Sequence, residues 1–191
     1  MATKKLPVPG VPKGRNRVRI IGGNLRSRMI EFPDAPGLRP TAERVRETLF
    51  NWLGQTMADQ YCLDLFAGSG ALGFEALSRG ASEVVMVDQS RQVAQSLKDN
   101  GLLLKATALK VINADALQYL RGTPRRFDTV FLDPPYQQGL LLQTLALLTP
   151  WLAAGARVYA ESELGVTPSS DWKILKQSRA GQVNSRLLTL A

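Results

Sequence analysis

The sequence predicts an α/β protein built on a mostly parallel β-sheet with helices on both faces. From Tyr61 onward, short β-prone apolar runs alternate with helix-period segments, the pattern of β-α units that stack into a parallel sheet. The first of those runs enters the glycine-rich turn DLFAGSGALG (64–73), where bare backbone between a strand and a helix lets a ligand approach closely. The size agrees: 191 residues, 45% hydrophobic and 21% charged, suit one domain with a full core and a small appendage.

Residues 1–17, MATKKLPVPGVPKGRNR, are basic and rich in proline and glycine, and read as a disordered arm. VRIIGGNLRSRMIEF (18–32) gives two β-prone runs around Gly22-Gly23-Asn24, a hairpin with Arg19, Arg26 and Arg28 beside its turn. After the loop PDAPGLRP (33–40), Thr41 is placed to cap a helix whose Val45, Leu49, Trp52 and Leu53 share one face. Arg39, Arg44 and Arg46 lie near that helix's start, where its dipole disfavours cations. They suit a bound polyanion better than they suit the helix, although arginines that are merely solvated are the commoner case. Residues 18–57 thus read as a polyanion-contacting extension and 58–191 as the main domain.

Within the main domain CLDLF leads to a helix ending near Gly80, VVMVD to one opened by Ser90, and LKVIN to a short helix beginning near Ala116. TVFLD precedes the leucine-rich helix LLLQTLALL, and ARVYAES follows. The segments WKILKQS and NSRLLTL, split by Ala180-Gly181-Gln182, close the chain as an antiparallel hairpin.

Composition removes several chemistries. The chain has no histidine and a single cysteine, Cys62, so a histidine general base, an internal disulfide and a zinc site are all excluded, and no metal is expected. No apolar run approaches the length of a membrane span, and no apolar leader follows the first basic residues; the expected location is the cytoplasm. The net charge of +8 is concentrated at one end: residues 1–50 hold eleven Lys/Arg against four Asp/Glu, and the remainder is nearly balanced. A basic patch beside a near-neutral body points to a polyanionic partner, although a solvated basic tail has the same composition.

The glycines Gly68, Gly70 and Gly73 alone fit either a ligand turn or a packing turn. The acids decide between them. Asp64, Asp88, Asp115 and Asp133 bring a carboxylate to the carboxyl end of each of four consecutive strands, the rim where open α/β sheets bind ligands. So much negative charge disfavours a pyrophosphate. It suits S-adenosylmethionine, with its ammonium, sulfonium, ribose diol and adenine amine. The sequence FLDPPY (131–136) then sets an acid before two prolines and a tyrosine. Prolines fix φ and lack N–H donors, so this corner offers acceptors only.

DLFAGSG resembles the first motif of Rossmann-like S-adenosylmethionine-dependent methyltransferases, and DPPY the (Asp/Asn)-Pro-Pro-(aromatic) motif of those that methylate exocyclic base amines. Together with VRIIGG (18–23), LRPTAERVRETLFNWL (38–53), DLFAGSGALGFEALSRGA (64–81), VFLDPPY (130–136), YAESE (159–163) and AGQV (180–183), they resemble, in order, the RsmD family of bacterial enzymes that methylate N2 of one guanine in 16S ribosomal RNA. The resemblance runs from residue 18 to the C-terminus. It implies a Rossmann-like seven-stranded methyltransferase sheet with the last strand antiparallel, preceded by a small RNA-contacting hairpin, acting on 16S rRNA in the small ribosomal subunit; the oligomeric state is not legible in the sequence, and a monomer is the expectation.

It also implies roles. The turn from Asp64 through Phe66, Gly68 and Gly70 holds the methionine and ribose portion of the cofactor, Asp88 the ribose hydroxyls, and Asp115 with the Ala116 backbone the adenine edge, although Asp115 equally fits a helix N-cap. Asp133 and the Pro134 carbonyl hold the target amine, Asp133 also borders the cofactor, and Tyr136 stacks on the base. Arg19, Arg26, Arg28, Arg39, Arg44 and Arg46 grip the RNA. Cys62, within an apolar strand, reads as core and lacks the Pro-Cys setting of pyrimidine C5 chemistry. Trp52 and Trp151 read as packing, as does the Phe66 ring, and Arg179 and Arg186 as solvated edge positions. An adenine-N6 methyltransferase would use the same DPPY corner, and a non-catalytic RNA-assembly factor would keep the arginines without needing Asp133 or Tyr136.

Overall fold

The computed structural model describes residues 16–34 and 41–191. Two strands, β1 (Asn16–Arg19) and β2 (Met29–Phe32), pair antiparallel as the expected hairpin. β1 begins at Asn16, so Asn16 and Arg17 belong to the hairpin rather than to the arm; residues 1–15 and Arg39 lie outside the described residues. Helix α1 (Glu43–Leu53) follows. Then come β3 (Tyr61–Asp64), α2 (Ala71–Ser78), β4 (Glu83–Asp88), α3 (Arg91–Leu104), β5 (Leu109–Asn113), α4 (Ala116–Leu120), β6 (Phe127–Leu132), α5 (Leu140–Leu148), β7 (Leu152–Glu163), β8 (Trp172–Ala180) and β9 (Val183–Leu190).

The last seven strands form one sheet in the order β5-β4-β3-β6-β7-β9-β8. Every pair is parallel except those made by β9, which runs antiparallel to both neighbours. This is the seven-stranded sheet with an antiparallel last strand that the sequence predicts. Strands buried on both faces read as continuous apolar runs, as in Val84–Val87 and Val130–Leu132, all buried. One face is covered by the hairpin and α1–α3, whose Ile30, Phe50, Phe74 and Leu97 pack on Cys62 and Met86. On the opposite face α4 and α5 pack Leu120, Leu141 and Leu145 on Val85, Val130 and Trp151. Cys62 is core, as expected, and burial pushes its thiol up to about 12.

Two expectations at α1 are corrected. Thr41 is not its cap: the N-cap is Ala42, with no side-chain cap bond, and the Thr41 hydroxyl instead donates to Asp133 Oδ2 at 3.5 Å. Arg46 is not on the surface. It sits one and two turns before Leu49 and Leu53 on the buried face and is 1% exposed. Its guanidinium donates to the carbonyls of Thr41 (3.2 Å) and Arg19 (2.9 Å) and pairs with Glu75 at 3.4 Å.

Glu75, fully buried in α2, is the hub that fastens the extension to the sheet. Its two oxygens accept from the Ile21 and Gly22 amides (2.9 and 2.8 Å), from Arg46, and from Arg79 at 2.9 Å. Arg79 in turn lies 4.6 Å from the centre of the Phe50 ring in α1. A second clasp joins β2 to α3, where Asn100 exchanges hydrogen bonds with the Glu31 backbone. Removing one partner of a buried ion pair strands the other charge, at a cost of about 3–5 kcal/mol. Glu75→Ala is therefore expected to lower unfolding stability by about that much in denaturant titrations. A loss under about 1 kcal/mol, the range of a surface pair, would show that the extension is held by something else.

Candidate active site

The chain steps outward from β3 to β4 to β5, then crosses back so that β6 lies on the other side of β3. At such a reversal the loops leave in opposite directions and a crevice opens at the carboxyl ends of the strands. A cleft of about 990 Å³ lies there. Asp64, Asp88, Asp115, Asp133 and Glu161 all line it, and among the described residues no lysine or arginine does.

The glycine turn needs its glycines for backbone conformation and for packing. Gly70 has φ +78, the left-handed region that suits glycine, and donates its N–H to the Ala67 carbonyl. Gly73 serves packing: a Cβ there would come within 2.4 Å of Met86 Cε, so α2 can lie this close to β4 only without one. Phe66 is partly buried against the core of the α4–α5 face and also borders the cleft.

The acids differ in how far the protein already satisfies them. Asp64 is 2% exposed and its Oδ2 accepts the Gly73 amide at 3.0 Å. Burial pushes it up to about 7 against that amide's pull, and the Asp88 charge adds to the rise. Asp88 accepts the Gly68 amide through one oxygen (3.0 Å) and the Ser90 amide through the other (2.8 Å). Asp115 lies two residues beyond the end of β5 and caps α4, accepting from Gln118 N at 2.9 Å. Of its two readings the cap is realised, and the residue still lines the cleft.

Asp133 is different. Immediately after β6, and among the described residues, it receives no backbone amide. The hydroxyl of Thr41 donates to it at 3.5 Å, while that of neighbouring Tyr136 donates to Glu161. Burial raises its carboxyl well above the ordinary range, with Glu161 and Asp64 adding to the effect. Pro134 is buried while Tyr136 is 38% exposed, so the corner is anchored at one end and open at the other. Burial, Asp133 and Glu161 together push the Tyr136 phenol up and keep it a neutral donor.

Glu161, near the end of β7, is 6% exposed. Its oxygens accept from Tyr159 (2.7 Å) and Tyr136 (3.3 Å), and burial raises its carboxyl. It had no role in the sequence reading, although it lies within YAESE; an acid inside a strand that also holds Val158, Tyr159 and Ala160 was the available signal.

The arginines divide. Arg19, exposed, pairs with Glu43 at 2.8 Å, two residues from Thr41 and hence beside the cleft. Arg44 is exposed at the start of α1. Arg26 and Arg28 are exposed on the loop joining β1 to β2, which packs on the carboxyl end of α2 through bonds from Asn24 and Leu25 to Ser78. That is a helix length, roughly 12 Å, from the cleft-side end of α2. Arg46 is buried, as described above. Arg186, expected on a solvated edge, is only 8% exposed and donates to Ser162 at 3.1 Å. Arg179 is exposed, as expected, and Trp151 and Trp52 are packing residues. No group of acids, cysteines or histidines that could hold a metal occurs among the described residues, and none of their helices is long and apolar enough to cross a membrane.

Comparison with known proteins fits this geometry. The family described as Conserved hypothetical protein 95 matches residues 18–189. Ribosomal RNA small subunit methyltransferase D of Escherichia coli strain K12 is 48% identical over 181 residues, covering 91% of this chain and 90% of that protein. The Haemophilus influenzae protein of the same name is 43% identical over 185 residues, covering 92% and 95%. The solved structure of Escherichia coli yhhF superposes with a TM-score of 0.84 at 45% identity, over 92% of this chain and 98% of that one. Agreement of that extent places this chain in the RsmD family, and it is a methyltransferase.

Proposed function

We propose that the protein transfers a methyl group from S-adenosylmethionine to the exocyclic N2 of one guanine in 16S ribosomal RNA, acting as a cytoplasmic monomer on the small ribosomal subunit. The observation that carries this reading is the cleft's charge: five carboxylates and, among the described residues, no basic side chain. Such a cleft repels phosphate and accepts a cationic cofactor and an uncharged base. The relatives' names, which specify small-subunit ribosomal RNA, support the substrate.

The residues fit the cofactor. The Asp64–Gly70 turn and Phe66 border the methionine and ribose portion, Asp88 the ribose hydroxyls, and Asp115 with the Ala116 backbone the adenine edge; all of these except Gly70, which shapes the turn from behind, line one cleft with Asp133. When bound, S-adenosylmethionine supplies a sulfonium-activated methyl group.

What remains for the chain is to present a poor nucleophile. The N2 lone pair of guanine is delocalised into the ring. Asp133 accepts one amine hydrogen and the Pro134 carbonyl the other, so the nitrogen pyramidalises and its lone pair points at the methyl carbon. The proton that the amine would lose on accepting the methyl group would pass to Asp133 or water. Tyr136 supplies a stacking face for a base lifted out of its helix. Arg19 and Arg44 beside the cleft, with Arg26 and Arg28 farther along, hold phosphates.

Incubation with S-adenosylmethionine and small subunits from cells lacking the enzyme, followed by nucleoside mass spectrometry, is expected to yield N2-methylguanosine; N6-methyladenosine, or no product, would refute the assignment. Asp133→Ala is expected to cut transfer by about 10²- to 10³-fold with cofactor affinity, measured by calorimetry, near that of the wild type. Because Asp133 must be ionised to accept the amine and its carboxyl is held above the ordinary range, kcat/KM should rise as pH increases past that range and level off once the group is ionised. A rate flat from about pH 5 upward would contradict its role. Replacing Arg19, Arg26 and Arg28 together by glutamine should weaken RNA binding and shallow its salt dependence, by about 0.7–0.9 per lost phosphate contact, without changing cofactor affinity; an unaltered slope would place the RNA elsewhere.

A further inference from the structure

We propose that Glu161 reads the Watson–Crick edge of the target base, accepting the N1–H of guanine while Asp133 and the Pro134 carbonyl hold its N2 amine. The inference rests on the guanine reading above and explains how the site rejects adenine.

Glu161 lies in a parallel strand at the rim of the sheet, 6% exposed, yet it lines the same cleft as Asp133. Among the described residues no lysine or arginine pairs with it. Its two oxygens are held by one tyrosine hydroxyl each, Tyr159 on Oε1 and Tyr136 on Oε2. A carboxylate has about four acceptor sites, so each oxygen keeps a further lone pair. A buried acceptor left without donors costs free energy, and here a second carboxylate, Asp133, stands close enough to feel its charge. The pair calls for a ligand edge rich in donors.

Guanine has that edge: N1–H beside the N2 amine gives three hydrogens in a row. Adenine offers two from its N6 amine, and its N1 is a bare lone pair that would face the Glu161 carboxylate. The hydroxyl of Tyr136 ties the proposed stacking ring to Glu161 at 3.3 Å, so the platform beneath the base and the group that reads its edge form one unit. Tyr159, fully buried, holds the other oxygen from inside the core at 2.7 Å, which orients the carboxylate. A strand acid needed only for folding would gain nothing from opening onto the cleft.

The test uses reconstituted small subunits carrying either guanine or 2-aminopurine at the methylated position. 2-Aminopurine keeps the N2 amine but has an unprotonated N1. For the wild-type enzyme, kcat/KM is expected to fall on the order of 10- to 100-fold with 2-aminopurine, the discrimination a good base contact provides. Glu161→Gln, whose amide can donate to an unprotonated N1, should lose activity on guanine and bring the two substrates to within a few-fold of each other. That change of ratio separates edge reading from a structural role, which would lower both rates together, and from loss of O6, which the substitution does not touch. Equal rates on both substrates with the wild-type enzyme would overturn the proposal without needing any variant to fold, as would an unchanged ratio in Glu161→Gln. If the wild-type enzyme methylates no guanine, the assignment of the reaction falls and this inference falls with it; if guanine is methylated and the ratio is unity, only the role of Glu161 falls.

Discussion

A carboxylate at the carboxyl end of a parallel strand needs donors, and the character of the site follows from which acids find them within the protein. Asp64 and Asp88 are met by backbone amides of the glycine turn and the start of α3, and Asp115 by the first turn of α4. These three shape loops. Asp133 has the single hydroxyl of Thr41 at 3.5 Å, and Glu161 two phenols. The charge the fold leaves least compensated therefore lies where a base amine would enter. Two prolines after Asp133 enforce this, since they add no N–H that could quench it.

The same rule, with the opposite outcome, holds the N-terminal extension. Glu75 is buried too, but two backbone amides and two guanidinium groups surround it. It therefore acts as a fastener with nothing left to offer a ligand. Because Arg46 also bonds the Thr41 carbonyl, and Thr41 reaches Asp133, the segment that carries Arg19 and Arg44 is joined through a short series of contacts to the carboxylate proposed to hold the target amine. Placement of the arginine-bearing extension and placement of Asp133 are thus one structural problem.

Most of the architecture was legible in the sequence because apolar period and strand-end punctuation fix it: α5 spans LLLQTLALL and α3 is capped by Ser90. What was not legible concerns polar groups whose partners are distant along the chain. Arg46 looks like its exposed neighbour Arg44 until Glu75, 29 residues away, is brought beside it. Thr41 stands one residue before the true cap, and its partner is Asp133, 92 residues on. Glu161 gave little warning because β7 is buried on both sides over residues 158–162, so no alternation marks an acid as unusual. Arg186 was misjudged for a related reason: β9 is flanked by β7 and β8, and position in the chain does not reveal that the final strand lies inside the sheet.

The proposed transfer requires Asp133 and the sulfonium to face each other across a gap the width of a flat base. The most direct test is a crystal structure with S-adenosylmethionine bound. The account predicts the donor lying along the Asp64–Gly70 turn with its methyl group directed toward the Asp133 carboxylate and the Pro134 carbonyl, and with room for a purine amine between them. A donor bound in the reverse sense, its adenine against Asp133 and its methyl group turned away from the Pro134 corner, would contradict it.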